Sequence, residues 1–149
     1  MSQHLTFAYA ALALIAGIGI PVMAALNGGL GARLGSPVAA ALVLFLVGLA
    51  ATSLVLLISG LPTRPNLQAM PLPYFLGGLL VAFYVLAITW LVPRFGVGNA
   101  VFFVLLGQIM SAALIDHFGL FGVQQQSLNL QRWAGIVLMA SGVFLARKV

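Results

Sequence analysis

Few side chains in this sequence could make or break covalent bonds, and the two most reactive are neighbours. Asp116 is the only acidic residue among 149, His117 follows it directly, and there is no cysteine. A metal site or a hydrolytic triad needs several such groups at one point, and adjacent residues on a helix do not face each other. We therefore expect no catalytic residue, no metal site and no cofactor, and the sequence argues against an enzyme.

Three other polar side chains are suited to binding. Asn27, Tyr84 and Gln108 each lie in or beside an apolar stretch. A buried amide or phenol is costly unless it is hydrogen bonded. Gln108 therefore either bonds a neighbouring helix or faces a polar cavity, and both alternatives stay open. The hydroxyl of Tyr84 needs a partner inside the bundle, or its ring forms an aromatic wall for an organic substrate, where a cation would gain from the ring face.

The composition defines the class of protein that positions these groups. The chain is 63% hydrophobic and 5% charged, whereas a soluble domain has about a quarter charged residues. Such a chain matches lipid, so we predict an integral membrane protein. The net charge of +5 comes from six basic residues scattered singly between apolar runs, and we expect no nucleic-acid partner.

The apolar runs predict five membrane-spanning helices. A hydrocarbon layer of about 30 Å is crossed by roughly 20 apolar residues of helix. The first run follows no lysine or arginine and is too long for the apolar core of a signal peptide, so we expect it to be retained. We predict one transmembrane domain over residues 1–149, with spans at 5–26, 38–59, 73–92, 97–115 and 131–147. The fifth is the weakest because it is short.

Two local patterns bear on how these helices pack. Pro21 lacks an N–H and crowds the preceding turn, which predicts a helix break near Gly17 and a cavity beside it, although glycine and proline also occur where membrane helices merely pack. Two pairs of small residues at a spacing of four predict close helix packing, Gly107 with Ser111 and Gly142 with Ala146.

The loop charges bear on orientation. Five spans place the termini on opposite sides, and the basic residues then divide unevenly: Arg33, Arg94, Arg147 and Lys148 lie with the C-terminus, Arg64 and Arg132 with the N-terminus. This bias is small, so the chain is expected to insert in both orientations, a dual topology. Transporters often pair inverted halves around a site at the membrane midplane, and a second copy would supply the missing half.

In this arrangement Asp116 has two possible roles. As the only carboxylate it could exchange protons or gate a pathway together with His117, since ionisable groups beside membrane spans are often functional. However, it follows about nineteen residues of apolar helix, where the headgroups begin. There it would form an ion pair, for example with Arg132. We favour structure or gating over proton coupling.

A set of motifs extends over nearly the whole chain: Asn27 with Leu30, Leu34-Gly35-Ser36-Pro37, Phe45, Gly48, Gly77-Gly78 with Tyr84, Pro93-Arg94-Phe95-Gly96, Gly107-Gln108, Asp116-His117-Phe118-Gly119-Leu120, and Gly135-Ile136-Val137-Leu138 with Gly142. Together these motifs resemble the YdcZ-like family of the drug/metabolite transporter superfamily. The resemblance implies an all-α unit of five helices, equivalent to half of a ten-helix transporter and hence a dimer. In the small multidrug resistance relatives an acidic residue in the first helix couples cation export to protons, and this first helix has none.

The sequence thus favours a transporter of a small organic solute, an exporter in the bacterial inner membrane. It would be a multi-pass protein surrounded by the lipid bilayer, working as an antiparallel homodimer or with a paralogue. Asn27, Tyr84 and Gln108 would line a midplane cavity between helices one, three and four. The alternative is a non-transporting membrane subunit that stabilises or regulates a partner, and a passive pore is third. A packing subunit has no need of a proline in a span or of mid-span polar groups, and a pore should show a recurring polar stripe.

Overall fold

The computed structural model describes residues 3–61 and 70–146, with side chains over residues 6–61 and 70–145. The predicted loop at Arg64, as well as Arg147 and Lys148, lies outside these residues. Within the described part every regular element is helical, and it contains five α-helices and two short 3-10 segments. The predicted all-α class is therefore confirmed.

The helices follow the predicted spans in order. The α-helices are α1 Gln3–Leu34, α2 Pro37–Ser59, α3 Gly77–Phe95, α4 Val97–Phe118 and α5 Leu130–Ala146, and the 3-10 segments are Leu72–Leu76 and Leu120–Gly122. Four stretches are long and apolar enough to cross a membrane: Thr6–Leu34, Pro37–Ser59, Leu72–Phe95 and Val97–Phe118. The fifth, Leu130–Leu145, is apolar but shorter, as the sequence indicated.

The first helix extends beyond the predicted span. It ends at Leu34 rather than Leu26, and it continues without interruption through Pro21. In lipid a helix satisfies its backbone groups within the segment, so glycines that would weaken a helix in water are tolerated. The predicted break is therefore not a gap in the helix, and a bend near Gly17 stays a prediction.

A short turn joins α1 to α2. Gly35 adopts a left-handed conformation with φ of 63°, which a residue without Cβ adopts at no steric cost. The hydroxyl of Ser36 accepts a hydrogen bond from the backbone N–H of Ala39 at 3.1 Å and so caps α2. Pro37 occupies the first turn of α2, where its missing N–H costs nothing.

The chain divides into two compact units, residues 1–95 and 96–149. In the first unit, α1 and α3 meet along two faces with the same spacing of i, i+3, i+4 and i+7. The face on α1 is Ala24, Asn27, Gly28 and Gly31, and the face on α3 is Val85, Ile88, Thr89 and Val92. The spacing keeps each set on one side of its helix, and the small residues of α1 allow the backbones to approach closely.

Gly31 lies where three helices of this unit come together. A Cβ added there would stand 3.1 Å from the methyl of Thr89, 3.3 Å from Cα of Pro37 and 3.6 Å from Cβ of Ala40. By contrast, Gly29 on the same helix has no described neighbour within 4 Å of such an atom. A side chain at the first position would therefore press on packed neighbours, whereas one at the second would not.

This difference predicts the outcome of a pair of leucine substitutions. Gly31→Leu should lower the free energy of unfolding by about 1–3 kcal/mol, since the added atoms must displace packed neighbours. Gly29→Leu adds the same atoms to an open surface and should change it little. Titration of each purified variant with sodium dodecyl sulfate, followed by circular dichroism, measures the difference. Equal losses in both variants would contradict the packing at Gly31.

Candidate functional site

A buried polar pair joins α1 to α3. The side-chain amide nitrogen of Asn27 donates a hydrogen bond to the hydroxyl oxygen of Thr89. Asn27 is 5% exposed and Thr89 is 0% exposed, and they are the buried polar residues of the described chain. Two polar groups this deep are costly unless they bond each other. The pair therefore fixes the register of α1 against α3.

Each member of the pair lines a different cavity of the first unit. Asn27 lines one of about 270 Å³ between α1 and α2, where its neighbours are aliphatic: Met23, Leu26, Leu30, Val43, Leu44 and Val47. Thr89 lines one of about 330 Å³ that also includes Gly31, Ala32, Gly35, Pro37, Pro93 and Arg94. The hydrogen bond between Asn27 and Thr89 thus joins the wall of one cavity to the wall of the other.

Arg94 is the charged residue among the described residues that line the second cavity. One guanidinium nitrogen, Nη1, donates to the carbonyl oxygen of Trp90 at 2.7 Å. The guanidinium carbon lies 4.4 Å from the centroid of the Trp90 ring, a cation–π contact. The positive charge also lies in the last turn of α3, where the helix dipole favours it.

Tyr84 lies on α3, five residues before Thr89. Its hydroxyl oxygen is completely buried and has no hydrogen-bond partner among the described residues. An unpaired buried hydroxyl costs about 1–3 kcal/mol. A native structure rarely leaves such a group without a purpose or an unseen partner.

Gln108 and the predicted packing residues lie in the second unit. Gln108, Gly107, Ser111 and Gly142 are all exposed within the chain. A Cβ added at Gly107 or at Gly142 would meet no described atom within 4 Å, and the side chain of Ala146 lies outside the described residues. The roles of these positions in binding and packing therefore stay predictions.

Asp116 forms the ion pair that its position suggested. Its Oδ2 lies 2.9 Å from Nη2 of Arg132, and the two side chains are 30% and 39% exposed. The predicted pairing with Arg132 is confirmed. The other terminal nitrogen of Arg132 donates to the carbonyl of Gln126 at 3.3 Å, and the N–H of Gln126 donates to the carbonyl of Asp116 at 2.8 Å. Asp116 and Arg132 therefore fold the connection between α4 and α5 back onto the end of α4.

His117 holds the same connection from its other side. Its Nδ1 accepts a hydrogen bond from the N–H of Leu128 at 3.1 Å. Its backbone carbonyl accepts one from the amide of Gln125 at 2.9 Å. Asp116 and His117 use separate partners, as expected for adjacent helical residues. Within the described residues no group of three or more histidines, cysteines or acidic residues could hold a metal ion.

Sequence reasoning overlooked two residues of this arrangement. Thr89 is the buried partner of Asn27, and its signal was the i, i+3, i+4, i+7 spacing that each of the two shares with apolar or small neighbours on its own helix. Arg94 entered only among the loop charges and in the motif Pro93-Arg94-Phe95-Gly96. The signal for it was its spacing of four from Trp90, which places a cation and an indole on the same helix face. Asp116 and His117 lie in the second unit and form a separate cluster at the end of α4.

Removing the charge of Asp116 tests whether this cluster is structural. Asp116→Asn keeps the shape and should lower the unfolding free energy by at most about 1 kcal/mol, because the pair is partly solvated. Arg132→Gln should cost about the same, and the double variant should cost less than the sum of the two single effects. We also expect solute flux to respond to a proton gradient in the same way as in the unsubstituted chain. Flux retained in Asp116→Asn without that dependence would assign proton coupling to Asp116.

Comparison with known proteins identifies the family. A family model described as "Putative inner membrane exporter, YdcZ" matches residues 8–145. This range covers most of the chain and includes the Asn27–Thr89 pair and the Asp116 cluster. Searches of curated proteins and of solved structures return no match. The resemblance drawn from the sequence motifs is confirmed, and the chain belongs to the YdcZ family.

Proposed function

We propose that this chain exports a small organic solute across the bacterial inner membrane and works as a dimer of two such chains. Membership of an inner membrane exporter family and the four long apolar helices support an exporting membrane protein. Our proposal adds that the solute is a small organic molecule and that two chains form a dimer in an inverted arrangement. The two chains are identical or one is a paralogue.

The buried hydroxyl of Tyr84 carries this proposal. It is a hydrogen-bonding group without a partner in the described chain, inside a helix whose surroundings are apolar. Lipid tails cannot supply the missing hydrogen bond. A solute with a polar group can, and the bond would then form only while the solute is bound.

The Asn27–Thr89 pair supports a site in the same unit. An amide has more hydrogen-bonding capacity than one donated bond uses, and the rest of Asn27 borders an otherwise aliphatic cavity. Ligand sites typically combine an apolar wall with a few placed polar groups. A solute with one polar end and an apolar body matches these surroundings.

The exposed faces of the second unit support dimerisation. Gly107 and Ser111 on α4 and Gly142 on α5 leave backbone accessible at a spacing that favours close helix contact. A second chain packed there would bury these faces. It would also complete the ten helices that the family resemblance implies. Gln108 lies beside Gly107, so such a contact would bring its amide near the partner.

Replacing the Tyr84 hydroxyl tests the solute contact. Tyr84→Phe should leave folding unchanged or slightly improved, since an unpaired buried hydroxyl is removed. The affinity for the transported solute should fall roughly 5- to 30-fold, the effect of about 1–2 kcal/mol. Thermal stabilisation by metabolites first identifies a solute, and titration then gives its Kd. Tyr74→Phe is the matched control, because Tyr74 is 62% exposed. An unchanged Kd in Tyr84→Phe would remove Tyr84 from the site.

Gln108 is tested by measuring transport rather than the affinity for the solute. Gln108→Leu should yield abundant folded protein, because no described residue bonds its exposed amide, while transport in proteoliposomes should be lost. Gln131→Leu is the control, since Gln131 is also exposed in the second unit. If Gln108→Leu loses the fold instead, the amide is a structural bond, as in a non-transporting membrane subunit.

A further inference from the structure

The charges of the chain restrict what solute it can hold. The whole sequence contains one acidic side chain against six basic ones. That one carboxylate, Asp116, is already paired with Arg132 at 2.9 Å. A cationic solute would therefore find no unpaired side-chain carboxylate, since Asp116 is the only one that the sequence provides. Binding a cation in a site of low polarity without a counter-charge carries a large desolvation cost.

Aromatic faces are the other common way to bind an organic cation. Trp90 follows Thr89 on α3, and the guanidinium of Arg94, which lines the cavity of Thr89, already lies 4.4 Å from the centroid of the Trp90 ring. A second cation at that ring would be repelled by the first. The carboxylate of Asp116 and the indole of Trp90 are thus both in contact with arginines of the same chain.

The cavity that Thr89 and Arg94 line is suited to an anion instead. Its described lining is apolar or small apart from Thr89 and Arg94. One nitrogen of the guanidinium bonds the carbonyl of Trp90, which leaves most of its five donors for another partner. Two of the lining residues, Gly31 and Gly35, have no side chain to fill the space. The volume of about 330 Å³ lies at the lower end of the usual range of about 300–1,000 Å³ for ligand sites.

We propose that the exported solute is a small organic anion whose carboxylate or phosphate group binds Arg94 in this cavity. This inference rests on the proposed function, because it names the class of solute that the exporter takes. Arginine binds planar and tetrahedral oxyanions through paired N–H donors. Pro37 and Pro93 form apolar walls for the organic part, and the hydroxyl of Thr89 connects this cavity to Asn27.

The experiment compares probes that differ mainly in charge. Purified protein in dodecyl maltoside is heated with benzoate, hexanoate or phenyl phosphate, with benzamide or hexanamide, and with benzyltrimethylammonium or hexyltrimethylammonium. At least one anion should raise the Tm by about 3 °C at a concentration near ten times its Kd. Its amide and cationic counterparts should not. Dioleoyl phosphatidylglycerol forms a separate arm, because a lipid headgroup presents the same phosphate chemistry.

Arginine variants locate the effect. Arg94→Gln should abolish the shift produced by the anion, whereas Arg94→Lys should keep part of it, since the charge stays and the paired donors are lost. Arg33→Gln is the matched control: it removes the same charge from the end of α1, and Arg33 does not line the cavity. If Arg94→Gln does not fold, Arg94→Lys carries the comparison alone.

The outcomes separate this inference from the proposed function. Stabilisation by a cation, by phosphatidylglycerol alone, or by no anion would overturn the assignment of an organic anion. So would an anion shift that Arg94→Gln retains. Proteoliposomes loaded with the stabilising probe then test export itself. A transported cation or amide would leave the exporter standing and refute the anion, whereas binding at Arg94 without flux would refute the exporter.

Discussion

The contact between α1 and α3 depends on a hydrogen bond that lipid cannot replace. Asn27 and Thr89 are both buried, and each satisfies the other. In water a separated pair would be solvated, but in the hydrocarbon layer separation leaves two unpaired polar groups. Because Gly28 and Gly31 bring the backbones together, the bond forms at close range. Both cavities of the first unit therefore border the contact between α1 and α3, and separating these two helices is costly.

The glycines and the polar pair act together. A Cβ at Gly28 would stand 2.8 Å from a methyl of Val92, and one at Gly31 would stand 3.1 Å from the methyl of Thr89. Both positions lie one turn or less from Asn27 on the same face of α1. Any side chain that separated the helices would also lengthen the Asn27–Thr89 bond. Close packing and the hydrogen bond thus both require that α1 and α3 stay near each other at this site.

The sequence predicts the helices well because lipid restricts the choice of structure. With about 20 apolar residues per span and no alternative for the backbone, the order and approximate limits of all five helices follow from composition. The end of α1 was harder to predict, since Asn27, Gly28 and Gly29 read as a turn in a soluble protein. The pairing of Asp116 with Arg132 was predictable from depth and charge. The bond from Asn27 to Thr89 was not, because a contact between residues 62 apart depends on how the helices pack.

Pro93 lies within α3, four residues after Thr89. Since proline has no N–H, the carbonyl of Thr89 cannot receive the helical bond from that position. The final turn of α3, with Arg94, is joined to the rest of the helix by one main-chain bond fewer than an uninterrupted helix would have. The main chain is therefore less constrained at Pro93 than at Thr89, which the hydrogen bond from Asn27 holds in place. The hydrogen bond from the guanidinium of Arg94 to the carbonyl of Trp90 is then a side-chain link across the place where the main-chain bond is missing.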